Sequence, residues 1–186
     1  LGVEAISTSL KAAVIGFIVV AVFMIAVYFL PGFASVIALG IYVALVVLLL
    51  NGFDITLTLS GIAGIILSIG MAVDANVIVF ARIREEIAGG KSVLAAVNEG
   101  YKKALSAILD GQVTTFIAAL VLMVLGSGTV KGFAYTLMIS IILSLFTALF
   151  IAKYLTRAFY GVGVRAEKFY GKAKTVSYTH LRAHET

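Results

Sequence analysis

Between Lys11 and Asp54 the chain carries no charge for 42 consecutive residues, and the only proline of the sequence, Pro31, stands near the middle of that run. A helix needs roughly 20 apolar residues to cross the hydrocarbon core of a bilayer, so the run supplies two crossings and is too long for one. Pro31-Gly32 marks the reversal, because proline cannot donate the helical hydrogen bond and the pair is a strong turn signal. The predicted spans are 11–30 and 33–52. Asp54 and Arg82 enclose 27 more residues broken only by Asp74, giving a third span at 57–81. Two further apolar stretches follow at 107–126 and 132–153. Backbone polar groups in lipid must be satisfied within the segment, so these are helices rather than open strands. The expected fold is all-α, a polytopic transmembrane bundle of about five spans.

Composition closes the soluble alternative. Hydrophobic residues make up 62% and charged residues 12%, against roughly 25% charged in an average soluble domain. Cysteine is absent, so no disulfide is possible. No nucleotide-binding loop and no soluble-enzyme constellation is found, and the expectation is a chain with no catalytic residue and no cofactor. It opens at Leu1 without the pattern of a cleaved leader and is read as the C-terminal part of a longer polypeptide.

Charge sets the expected orientation. Arg82, Arg84, Lys91, Lys102 and Lys103 fill the connection after the third span, and Lys153, Arg157, Arg165, Lys168, Lys172 and Lys174 follow the fifth. The other loops hold chiefly Lys131. Two spans separate the basic stretches, so both fall on one side, which the positive-inside rule makes cytoplasmic. An amphipathic cytoplasmic segment is expected at 82–106, with Ser92 as a helix cap, an apolar face of Leu94, Val97, Tyr101, Leu105 and Ile108, and a Glu99–Lys103 pair four residues apart. Residues 161–174 form a basic cytoplasmic tail.

Asp74 is the residue that needs a reason. It stands eight residues before Arg82, about 12 Å along a helix. A charge at that depth costs about 2.5–3.5 kcal/mol or more, so such residues face protein or water and have a task. Ser60, Ala63, Leu67, Gly70 and Asp74 share one helix face, mostly of small residues that admit a neighbouring helix. Removal from water favours the neutral carboxyl, and a group near that balance can load and release a proton. The competing reading is a protonated carboxyl that only hydrogen-bonds a neighbouring helix. No basic residue lies deep in any predicted span, so a partner cation must come from another polypeptide or from elsewhere in a longer chain.

Other candidates carry weaker signals. Asn76 points away from the Asp74 face and can bond to another helix. Thr114 and Thr115 can serve Asp74 or a water wire, or simply pack between helices. Asp110 begins the fourth span as an interfacial or capping group, or as part of a relay. Arg82 and Arg84 with Glu85 and Glu86 read as an interfacial anchor. Gly61, Gly64 and Gly70 mark close helix packing.

The run GMAVDANVIVFARIREE at 70–86 strongly resembles the SecD subunit of the bacterial Sec protein-export machinery. EGYKKALSAILD at 99–110, VTT at 113–115 and GSGTVKGFAYTL at 126–137 agree in order, and LGVEAISTSLKA at 1–12 resembles the family's junction between an extracytoplasmic head and its second span, so residues 1–10 are read as that junction. The sister subunit SecF places its Asp one residue later, so Ala72-Val73-Asp74-Ala75-Asn76 fits SecD. Ala81 and Gly111-Gln112 depart from the family's usual Glu and Ala-Asn. The resemblance implies half of a resistance-nodulation-division (RND) type bundle in the bacterial inner membrane. It further implies use of the proton-motive force with SecF to promote preprotein translocation. Asp74 is the implied proton-carrying residue, facing a basic residue of SecF. Implied partners are SecF, the Sec channel complex, the exported preprotein and the lipid bilayer, with no nucleic acid. A scaffold subunit without proton transport and half of another RND-type transporter are the alternatives. His180 and His184 have a helical metal-binding spacing, but 175–186 reads as non-native, read-through sequence, and no metal is expected.

Overall fold

The computed structural model describes residues 2–53, 58–161 and 170; the 175–186 segment and most of the basic tail lie outside the described residues. Every regular element among them is helical: α1 (Gly2–Gly52), α2 (Leu59–Ala88), α3 (Val93–Leu125), α4 (Thr129–Phe146), a π-helical stretch (Thr147–Ala152) and α5 (Lys153–Gly161). Four helical stretches are long and apolar enough to cross a membrane, the last of them α4 continued through the π-helical stretch into α5. The all-α membrane bundle expected from the sequence is therefore the fold.

The first of the four is two arms. Fifty-one straight residues would reach about 75 Å, more than twice the roughly 30 Å of a hydrocarbon core. The backbone breaks at Phe29, which adopts φ 52° and ψ −117°, a conformation that L-residues rarely hold. Gly32 then packs so tightly on the first arm that a β-carbon there would lie 2.0 Å from the Met24 carbonyl oxygen. Residues 10–17 of the first arm and 43–51 of the second line one groove, so the arms run back along each other.

The elbow is fastened to α2. Pro31 has no N–H to offer the carbonyl of Val27, four residues earlier, and the guanidinium of Arg84 donates to that carbonyl instead. The same guanidinium lies 4.6 Å from the centre of the Tyr28 ring, which in turn packs on Phe80. Arg84, expected to be an interfacial anchor, holds two elements together.

Two other joints shape the bundle. The hydroxyl of Tyr42, fully buried on the second arm, donates to Ser68 of α2 at 2.6 Å, with Ser140 of α4 beside it. At the other end of α2, Thr58 caps the helix by accepting from Gly61 N–H, and Ser60 donates to the Thr129 carbonyl at the start of α4. The π-helical stretch leaves wider carbonyl spacing, and Thr147 bridges it by donating to the carbonyls of Leu143 and Ser144.

Residues 93–106 are the first part of α3, continuous with the fourth apolar stretch. Ser92 occupies the cap position but makes no side-chain cap bond. The buried face is Val93, Ala96, Val97, Gly100, Tyr101, Ala104 and Ile108, whereas Leu94 and Leu105 are exposed. The expected Glu99–Lys103 pair does not form. Lys103 instead reaches Glu86 of α2 at 2.5 Å, and Lys91 takes the other carboxylate oxygen at 2.6 Å. The buried carboxylate of Glu86, reached across the α2–α3 contact, outcompetes the half-buried Glu99 on the lysine's own helix. Glu86 also holds the Lys91 ammonium more firmly protonated than usual.

Candidate functional site on the open face of the second helix

Asp74 sits fifteen residues after Leu59 and fourteen before Ala88, midway along α2. One side of this helix is the packing face: Ile62, Ile69, Ala72, Asn76, Val79 and Ile83 are all buried. The opposite side is uncovered. Ala63, Leu67, Gly70, Asp74, Ala81 and Glu85 are exposed, and at 100° per residue they form one stripe with Asp74 near its centre. Of the stripe expected from the sequence, Ala63, Leu67, Gly70 and Asp74 lie on this open side, whereas Ser60, its first member, is half-buried and hydrogen-bonds the start of α4.

The carboxyl of Asp74 has no hydrogen bond or ion pair among the described residues. The cations nearest along the helix are committed elsewhere, Arg82 to Glu85 at 2.6 Å and Arg84 to the elbow. Asp74 therefore presents an unpartnered acid, at mid-helix depth, on a face shaped for close approach. Such a group can accept a hydrogen-bond donor or a cation from outside the described helices.

The glycines divide. A β-carbon on Gly61 would lie 3.1 Å from Thr136 Oγ1, and one on Gly64 would lie 3.3 Å from the Phe133 carbonyl oxygen, so both serve the α2–α4 contact. Gly70 meets nothing within 4 Å. It belongs to the open face and not to the internal packing.

The supporting polar residues do not converge on Asp74. Asn76 is 3% exposed and lies on the packing face, its Oδ1 without a partner among the described residues. Thr114 and Thr115 both donate to the Gly111 carbonyl of their own helix, at 2.9 and 3.0 Å. Asp110 is exposed seventeen residues into α3. A capping role is excluded for it, because the helix starts at Val93 instead of near residue 107. Sequence reasoning missed Gln112 as a buried side chain, although it continues the 104, 108 spacing of the α3 packing face. The Tyr42–Ser68 bond joins positions 26 apart and leaves no local signature.

Comparisons with known proteins bear on the family and the fold. A model of the family described as "Protein export membrane protein SecD/SecF, C-terminal" matches residues 1–161. The protein translocase subunit SecD of Acidaminococcus fermentans is 49% identical over 161 residues, covering 87% of this chain and 39% of that protein. The SecD subunit of Treponema pallidum is 52% identical over 155 residues, covering 82% of this chain and 26% of that protein. The crystal structure of SecDF from Thermus thermophilus, a translocon-associated membrane protein, superposes with a TM-score of 0.82 at 34% identity, covering 85% of this chain and 22% of that one. The chain thus spans well under half the length of these relatives. Its helical bundle, its match along nearly the whole described length and its SecD-type run around Asp74 place it in one group: the chain belongs to the SecD/SecF family of protein-export membrane proteins.

Proposed function

We propose that this bundle is one half of a proton-coupled unit that works with SecF to promote preprotein translocation across the bacterial inner membrane, with Asp74 as its proton-carrying group. The observation that carries the reading is the unpartnered Asp74 at the centre of the one uncovered small-residue face of α2. A carboxyl that only braced the fold would hydrogen-bond a helix of its own bundle. Asp74 faces outward, where a second half supplies the helix, the cation and the closed surroundings in which gaining or losing a proton changes the contact. The basic end of the bundle, with Lys91, Lys102, Lys103 and Arg157, is assigned to the cytoplasmic side on the charge rule, and the 1–10 junction to the opposite side. A Sec channel complex and the exported chain are the further partners of this reading.

The test is Asp74→Asn in the full-length protein, assembled with its partners in vesicles where the proton gradient is set independently. Asparagine keeps size and hydrogen bonding and removes the titrating proton. The gradient-dependent part of export should fall at least about tenfold, equivalent to about 1.4 kcal/mol of lost driving force, while gradient-independent export continues. Export that still responds fully to the gradient would sink the reading and favour a scaffold role.

A further inference from the structure

The two arms of α1 and the first half of α2 do not close on each other, and between them lies a groove of about 490 Å³. Its walls are Phe17 of the first arm, Val43 and Val47 of the second and Ile62 and Ile69 of α2; among the lining residues only Asn51, at one end, is polar. That end has a second feature. Leu10 and Val14 line both this groove and an adjoining surface depression that also takes in Lys11. Lys11 is exposed, is the only charged residue between Glu4 and Asp54, and forms no ion pair among the described residues. From Leu10, beside Lys11, the groove runs inward to Phe17, seven residues or about 10 Å of helix.

We propose that this groove is a phospholipid site, holding an acyl chain against the three helices while Lys11, with Asn51 at the rim, engages an anionic headgroup. The wall is apolar along its length and polar only at Asn51, a pattern that suits one hydrocarbon chain lying beneath a polar headgroup. The placement of charge favours a lipid anion, because the one cation of the first 53 residues stands at the mouth where a headgroup lies. This site is on a different side of α2 from Asp74: Ile62 and Ile69 belong to the packing face. It holds whether or not Asp74 carries a proton.

A photo-crosslinking residue, benzoylphenylalanine, placed at Val47 in the full-length protein with its partners tests this. Vesicles contain equal phosphatidylglycerol and phosphatidylcholine, both carrying a detectable tag. The expected product is a lipid adduct, with phosphatidylglycerol favoured about fivefold, the preference that one lysine gives near a membrane surface. Lys11→Gln, a change at an exposed position, should bring the two lipids to parity. The same label at Val22, which is 62% exposed and outside the groove, should show parity from the start. A polypeptide adduct at Val47 would overturn the proposal in favour of a helix occupant. Equal capture of both lipids by the unmodified Lys11 protein, or an unchanged preference in Lys11→Gln, would overturn the headgroup assignment.

Discussion

Tryptophan in place of Gly70 should leave this bundle folded and yet cut its assembly with the partner half at least about fivefold. The two effects separate because nothing in the described chain lies within 4 Å of a β-carbon at that position. Replacing a helical glycine by tryptophan even gains helix propensity, by about 0.5 kcal/mol at most. Thermal stability of the unassembled protein should therefore shift by no more than about 0.5 kcal/mol, as at other uncrowded surface positions. Gly70 is one turn from Asp74 on the same stripe, so an indole there stands in the path of any helix that reaches the acid. Overpacking a close helix contact costs about 1–3 kcal/mol, which corresponds to roughly 5- to 150-fold in affinity. Co-purification with the tagged partner measures the second effect. If assembly is undiminished, the stripe is a lipid-facing surface and the shared-site account fails.

Leucine at Gly100 should do the reverse and destabilise the bundle itself. A β-carbon on Gly100 would lie 2.5 Å from Ile83 Cγ1 and 2.9 Å from the Ile83 backbone nitrogen. A side chain can rotate away, but the backbone of α2 cannot without shifting the helix. The α2–α3 contact is also the one that brings Glu86 to Lys103. Even Gly100→Ala should cost about 1–3 kcal/mol, and leucine more, with loss of folded protein in detergent. Trimming Ile83 should rescue only in part, since the second close contact is to its backbone. A Gly100→Leu protein of unchanged thermal stability would show that the two helices are free to separate.

These contrasting glycines show how far the sequence carried. The membrane bundle was legible because charge is so costly in lipid that long gaps between charged residues have to be apolar helices. The reversal at Pro31 was legible from covalent chemistry: a residue without N–H has to be placed where a helix breaks. Asp74 stood out by depth, and helical spacing put it on the right face with Ala63, Leu67 and Gly70. Spacing could not tell which glycines meet a helix of the same chain. Gly61 and Gly64 sit about 140° and 80° around α2 from Asp74, yet they were read with Gly70 as one packing set.

What stayed hidden was non-local. Glu86 chose Lys103 over its expected competitor because α2 and α3 meet near Gly100, a fact no i,i+4 rule contains. Arg84 read as an anchor by its position near a span end, whereas its bond to the Val27 carbonyl depends on where the elbow folds. Asp110 was placed at a helix start because the apolar stretch begins there; hydrogen bonding carries α3 on through a more polar half to Val93. Hydropathy marks where a helix enters lipid and says little about where it begins.

The central claim is that the Asp74 face is completed by a second polypeptide. Benzoylphenylalanine at Leu67, seven residues from Asp74 on the same exposed stripe and itself 49% exposed, tests it most directly in the assembled full-length complex. The account predicts a dominant crosslink to the membrane part of the SecF half, in contrast to the lipid adduct expected at Val47. A Leu67 label captured only by lipid, or only by this chain's own helices, would contradict it.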